Sequence, residues 1–279
     1  MVTWGQRTLV MGVINLTPDS FSDGGRFVTP EAALKQARRM VSQGASIIDF
    51  GAQSTRPGAE EVGQAQELCR LLPVLKVIRA AISRGELMPA PILSVDTFHA
   101  VVAEAAIAAG ADWINDVRGA SLLRDPSMLS LVARIGCPYV MTHSRGNSVA
   151  MDELVSYANV VAEVREALLA ASQVALAAGV KREQLIWDPG LGFAKTTDQN
   201  LALLRHLAVL RAEGFPILIG PSRKRFIGAV LEQPRVNARL WGTAAVCAQA
   251  IVAGADVLRV HDVAPIVQTA RMLDAIVRI

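Results

Sequence analysis

The chain has 279 residues, 52% hydrophobic, 19% charged and 5% aromatic, with a formal net charge of +3 and a pI near 9.0. No apolar run approaches the ~20 residues of a membrane span, and the one early run, Leu9 to Ile14, is too short for a signal-peptide core, so a membrane partner is excluded and a cytoplasmic, untargeted chain expected. The longest basic run is SRKR at 222–225 and aromatics are sparse, so stacking platforms and phosphate-tracking stripes for nucleic acid are missing as well.

In chain order, the first predicted strand, within VMGVINLTPDS, runs into a polar loop over 16–29. Thr29 then reads as an N-cap and Pro30 as the first residue of a helix to Gln43, with Ala33, Leu34, Ala37, Met40 and Val41 on one stripe and Gly44 as its stop. The second strand, in SIIDFGAQSTRPG, leads into another long polar loop from Gly51 to about Glu60. Helical spacing then covers 60–84, followed by PILSVDT, a helix at 99–109, ADWINDVRG, a helix at 126–135, and CPYVMTHSRG. After a helix at 152–178 come LIWDPGLGF, a helix at 198–212, FPILIGPSRK, a helix at 237–253, ADVLRVHD and a last helix at 263–277. Gly110, Gly136, Gly179, Gly214 and Gly254 follow five of these helices, where a left-handed residue is cheapest for glycine.

Strands apolar on both faces, such as 216–219 and 91–95, imply a parallel sheet covered by helices, and strict βα alternation gives an α/β chain. A doubly wound sheet would more usually carry a glycine-rich dinucleotide turn after strand one, and none is present. The expectation is a (β/α)8 barrel, a single domain over 1–279 with long loops after strands 1 and 2, close to the ~250 residues such a barrel needs. Three distant cysteines, Cys69, Cys137 and Cys247, form no CxxC and are expected to be buried thiols in a reducing compartment.

In a barrel, the strand carboxyl ends open onto one catalytic face, so their polar residues should converge. Arg56, Arg223, Lys224, Arg259 and His261 gather there as a candidate phosphate or pyrophosphate site. Opposite them stand Asp96, Asn115, Asp116 and Asp188, of which Asp188 and Asn115, with Lys224, could present acceptors and donors to a flat heterocycle such as a pterin or purine. Asp49 reads as structural. His99 begins a helix, His206 sits on a helix surface, and His143 and His261 lie at strand ends. The histidines and cysteines have no metal-ligand spacing, so any metal should be Mg²⁺ arriving with phosphates, with Asn15 as a possible oxygen ligand.

MGVINLTPDSFSDGG (11–25), DFGAQSTRPGAE (49–60), SVDT (94–97), INDVRG (114–119), DPGLGF (188–193), SRK (222–224) and RVHD (259–262) stand in one order along the chain. On these segments the chain resembles the dihydropteroate synthases of the folate pathway, from Leu9 to Ile276. The resemblance implies a transferase that joins 6-hydroxymethyl-7,8-dihydropterin pyrophosphate to 4-aminobenzoate, giving 7,8-dihydropteroate and pyrophosphate by a dissociative, SN1-like loss of pyrophosphate. It also implies a pterin pocket of Asp96, Asn115, Asp188, Phe193, Gly220 and Lys224. Mg²⁺-pyrophosphate would be bound by Asn15, Arg259 and His261 with Asp23, Thr55 and Arg56. Phe21, Pro57, Lys224 and Ser222 would shape the aminobenzoate site, where sulfonamides bind in that family. A homodimer through the late helices is implied as well.

Two departures from the family pattern stand out. Gln53 replaces a glutamate before STRPG, and Thr142-His143-Ser144 replaces MHM in the pocket wall. The rival readings are a barrel that presents methyltetrahydrofolate to a corrinoid protein, which would not need the STRPG, SRK and RVH cations, and a catalytically silent barrel, which would have lost its strand-end charges.

Overall fold

A computed structural model describes residues 2–17, 29–53, 61–122 and 124–278. Eight parallel strands run β1 (Leu9–Asn15), β2 (Ile47–Gly51), β3 (Ile92–Asp96), β4 (Trp113–Asp116), β5 (Tyr139–Thr142), β6 (Leu185–Asp188), β7 (Leu218–Ile219) and β8 (Val257–Val260). They are ordered β6-β5-β4-β3-β2-β1-β8-β7, and a parallel bridge between Trp187 and Ile217 joins the two ends. The result is the expected (β/α)8 barrel.

Ten α-helices lie among the described residues: α1 (Pro30–Ser42), α2 (Gln64–Ser83), α3 (Ala100–Ala108), α4 (Met128–Ile135), α5 (Val160–Ala177), α6 (Thr197–Arg205), α7 (Leu207–Arg211), α8 (Arg225–Val230), α9 (Leu240–Val252) and α10 (Val263–Val277). α1 starts as its sequence dictates. The Thr29 hydroxyl accepts from Ala32 N at 3.2 Å, Pro30 takes a position where no N–H is needed, and Ala33, Ala37, Met40 and Val41 are buried.

Three predicted helices are redrawn. The one at 152–178 begins only at Val160, because Asn159 caps it by accepting from Val161 N and Ala162 N. The one at 198–212 breaks at His206 into α6 and α7. The one at 237–253 begins as a 3-10 turn, Val236–Arg239, before α9, and the short α8 ahead of it carries too little periodicity to be foreseen.

Two layers fill the barrel. Leu9, Met11, Ile47, Trp113, Val140, Ile186, Leu218 and Val257 form an apolar plug closed from below by Val2 and Trp4. Strand side chains alternate, so the parity that turns these residues inward also turns Asp49, Asp96, Asn115, Asp188 and Arg259 inward, nearer the carboxyl ends. Register sets their heights, with Asn15 level with Gly51, Gly51 with Asp96, and Asp96 with Asn115. A larger apolar cluster fills the space between strands and helices. Cys137 and Cys247 are buried as expected, whereas Cys69 is exposed on α2, on the solvent side of that helix's apolar stripe.

No described helix is long and apolar enough to cross a membrane.

Candidate active site

At the mouth the structure brings together carboxylates from β2, β3 and β6 with cations from β8 and the loop after β7. Arg259 is the hub. Its Nε donates to Asp49 Oδ2 and its Nη2 to Asp96 Oδ2, both at 2.7 Å, and 23% of its side chain stays exposed at the opening. Asp49 also accepts from Ser94 Oγ at 2.6 Å and from Asn115 Nδ2 at 3.3 Å. Its structural reading holds, but what it positions is the Arg259 guanidinium. Asn115 Oδ1 is left buried with no hydrogen-bond partner, an acceptor facing no protein donor.

Burial pushes the Asp96 pKa up to about 7; Arg259 opposes this, but Asp49, Glu67 and Asp116 reinforce it. Arg259 is shared between two carboxylates, so it cannot hold Asp96 fully ionised. Burial works against the Arg259 charge too, yet Asp49 and Asp96 outweigh it and leave the guanidinium more firmly protonated than usual.

Across the barrel, Asp188 is raised by burial, which Lys224, the Gly190 N–H, Lys195 and Arg259 offset in part. Its Oδ1 accepts from Gly190 N at 2.8 Å and its carbonyl from His143 N at 2.9 Å. Lys224 donates to Leu191 O and lies 4.7 Å from the centre of the Phe193 ring. Burial brings its pKa down to about 8, with Arg259 adding to the shift and Asp188 and Asp96 opposing it. Gly220 lies beside Arg259, where an added Cβ would make an ordinary 3.8 Å contact with the arginine Cβ. The Ser222 hydroxyl accepts from His261 N at 3.1 Å and lies 3.0 Å from His261 Nδ1, which fixes the imidazole at the end of β8.

Two strand-end charges are turned elsewhere. Arg223 grips Asp262 through Nη2–Oδ1 at 2.6 Å and Nε–Oδ2 at 2.9 Å, and donates to Asn237 Oδ1 at 2.9 Å. Its charge is spent inside the protein rather than offered to a phosphate. Asp116 has outward parity and takes the Tyr139 hydroxyl at 2.6 Å and the Arg118 N–H at 2.8 Å, so it leaves the ring of carboxylates expected to oppose the cations. Arg56, Thr55, Phe21, Pro57 and Asp23 lie outside the described residues.

Sequence reading passed over Lys195 and Glu67. Lys195 is buried against His143 and the loop after β6. The DPGLGF turn before it, holding two positive-φ glycines, was the available signal for a following lysine folded back on that turn. Glu67 in α2 is wholly buried, and burial pushes its pKa up to about 7, with the Thr97 hydroxyl and Arg70 offsetting only part.

Gln53 accepts from Val62 N at 2.8 Å, so its amide oxygen anchors the chain beyond the second loop without a carboxylate. Ser144 donates to Val117 O at 2.7 Å, so a hydrogen bond holds that part of the wall.

The profile of a family described as pterin binding enzyme matches residues 11–261. A dihydropteroate synthase from Synechocystis is 47% identical over 275 residues, covering 99% of this chain and 92% of that protein. The chain belongs to the dihydropteroate synthase family. Among solved dihydropteroate synthases, that of Clostridium difficile in the presence of pteroic acid shares 39% identity, with a TM-score of 0.90 and all of both chains covered. The Xanthomonas albilineans dihydropteroate synthase with 4-aminobenzoic acid shares 42%, with a TM-score of 0.87, over 97% of this chain and 93% of that one.

Proposed function

We propose that the mouth joins 6-hydroxymethyl-7,8-dihydropterin pyrophosphate to 4-aminobenzoate, releasing pyrophosphate and 7,8-dihydropteroate. The observation that carries this reading is the pairing of signs: buried Asp96 and Asp188, with the unpartnered Asn115 oxygen, beside Lys224, Arg259 and His261. A pterin offers several N–H donors to such acceptors, and a pyrophosphate needs the cations. Breaking the pterin methylene C–O bond creates a delocalised cation and an anion at adjacent positions, and preorganised charges of opposite sign stabilise both.

In this reading Asp96, Asp188 and Asn115 orient the ring, and the carboxylates gain interaction as the pterin becomes cationic. Phe193 covers the ring, and Gly220 leaves room beside Arg259. Arg259 and His261 receive the departing pyrophosphate, with help from Asp23, Thr55 and Arg56. Ser222 holds His261 and, with Phe21, Pro57 and Lys224, borders the aminobenzoate. No protein nucleophile takes part.

The residues present suit Mg²⁺ carried in by pyrophosphate rather than a resident ion. Among the described residues no cluster of three or more His, Cys, Asp or Glu could hold a metal, while bare Gly51 leaves Asn15 Oδ1 and Asp96 Oδ2 facing one space. Hard oxygens of that kind, supplemented by phosphate and water, are what Mg²⁺ takes, and Asn15 would be its protein ligand. Bound there, the ion would offset charge developing on the leaving group.

Three separated free cysteines suit a reducing cytoplasm. Exposed apolar residues on the last two helices, Trp241, Val252, Met272 and Ile276 among them, suit a homodimer.

A mass assay with Mg²⁺, the pterin pyrophosphate and 4-aminobenzoate tests the reaction. Dihydropteroate and pyrophosphate should appear in equal amounts. Asp96→Asn should lower kcat about 100-fold or more while moving pterin affinity far less, because its charge acts chiefly once the cation forms. Equal losses in both would sink the role given to Asp96.

A further inference from the structure

The end of β6 and the loop after it, residues 188–196, run DPGLGFAKT. Two ammonium groups seize the loop's carbonyls from different sides. Lys224 donates to Leu191 O, and Lys195 donates to Gly190 O and Phe193 O at 3.0 Å each. The third proton of Lys195 points to His143 Nδ1 at 3.0 Å, with His143 O more distant at 3.5 Å. Three acceptors at 3.0 Å match the three N–H bonds of an ammonium, and the Asp188 carboxylate favours its charge. Burial works against that charge and holds its pKa well below the usual lysine range, with Lys224 and Arg145 adding to the shift and Asp188 opposing it; the two carbonyls and the imidazole are the contacts that stand in for water.

The loop is pressed hard against the end of β5. Gly190 has φ +68°, and a Cβ on it would stand 1.9 Å from His143 O. Asn200 of α6 secures the far side, accepting from Gly192 N at 2.7 Å and donating to Lys195 O at 3.3 Å.

We propose that Lys195 is a positioning residue of the pterin pocket: its ammonium clamps the loop bearing Asp188 and Phe193 onto His143, and holds that histidine as the neutral form protonated on Nε2. The inference rests on the reading of the mouth as a pterin pocket. Lys224 can exchange Leu191 O for an acceptor on the substrate. Lys195, with every proton committed to protein atoms, keeps the loop in place while that happens.

The test uses the full chain and its Lys195→Met variant, which keeps an apolar stem of similar length and removes all three donors. The variant should bind the pterin pyrophosphate about tenfold or more weakly, as loss of hydrogen bonds to a charged group implies, with the KM for 4-aminobenzoate moving less than about twofold. Long-range ¹H–¹⁵N spectra of the native protein should show His143 protonated on Nε2, and spectra of the variant a mixture of both tautomers. A native His143 protonated on Nδ1, or a folded Lys195→Met that binds pterin as the native chain does, overturns the proposal. If the variant does not fold, the native histidine spectrum decides. Failure of the native chain to bind the pterin at all would instead overturn the reading of the site, and the spectrum reports on the clamp either way.

Discussion

Asp49 and Asp96 share one guanidinium, and that ratio sets the electrostatics of the mouth. With its pKa pushed up to about 7 by burial, Asp96 takes up a proton near neutrality, and a cation of the kind proposed above would draw it back to the carboxylate. Glu67 has no ion partner of that quality, and its raised pKa becomes a statement about stability. A carboxyl whose folded pKa of about 7 exceeds its ordinary 4.5 contributes stability that is whole below pH 4.5 and lost as pH climbs to 7. Over that window the native chain should lose roughly 3 kcal/mol on account of this one group. Glu67→Gln abolishes the loss, so urea unfolding at pH 5 and pH 8 should show the variant gaining on the native chain as pH rises; a constant difference refutes this. The strand-end residues that meet at the mouth were legible because each closes an apolar run. Lys195 and Glu67 were not, since a lone lysine before a helix and a glutamate in a first turn look solvated in sequence, and only tertiary packing strips their water.

Helix beginnings were legible where a side chain makes them. Thr29 and Pro30 specify the start of α1 chemically, and Thr29→Ala should lower stability by about 1 kcal/mol in urea unfolding without altering the later helices. No stability change would mean that Pro30 alone fixes the entry. The start of α5 was misplaced because residues 152–158 carry helical-looking spacing, while the deciding group is the Asn159 side chain, reinforced by Glu163 accepting from Ala158 N and Asn159 N. The break at His206 and the short α8 escaped for the same reason: elements of five or six residues contain less than two turns of pattern. Strand parity held more than the sequence reading took from it, since alternation sends Asp116, expected among the carboxylates of the mouth, outward to Tyr139 and Asp96 inward to Arg259.

On the scale of the molecule, the barrel was legible from βα alternation, whereas the homodimer proposed above turns on the outer surface. Trp241 is 78% exposed on α9, with Met272 and Ile276 exposed on α10, a costly display for a surface facing only water. Sedimentation at micromolar concentration should find a dimer, and Trp241→Glu should shift it to monomer; a monomeric native chain rejects the interface. The ring of strands is also uneven. β7 has two residues, and β6 meets it through one bridge at Ile217, with Trp187 stacked on Phe215 at 4.5 Å beside the join. Asp188 stands on one side of that join and Lys224 on the other. If the proposed pterin reaches both, it spans the weakest seam of the cylinder, and the seam's stiffness and the pocket's occupancy become one property.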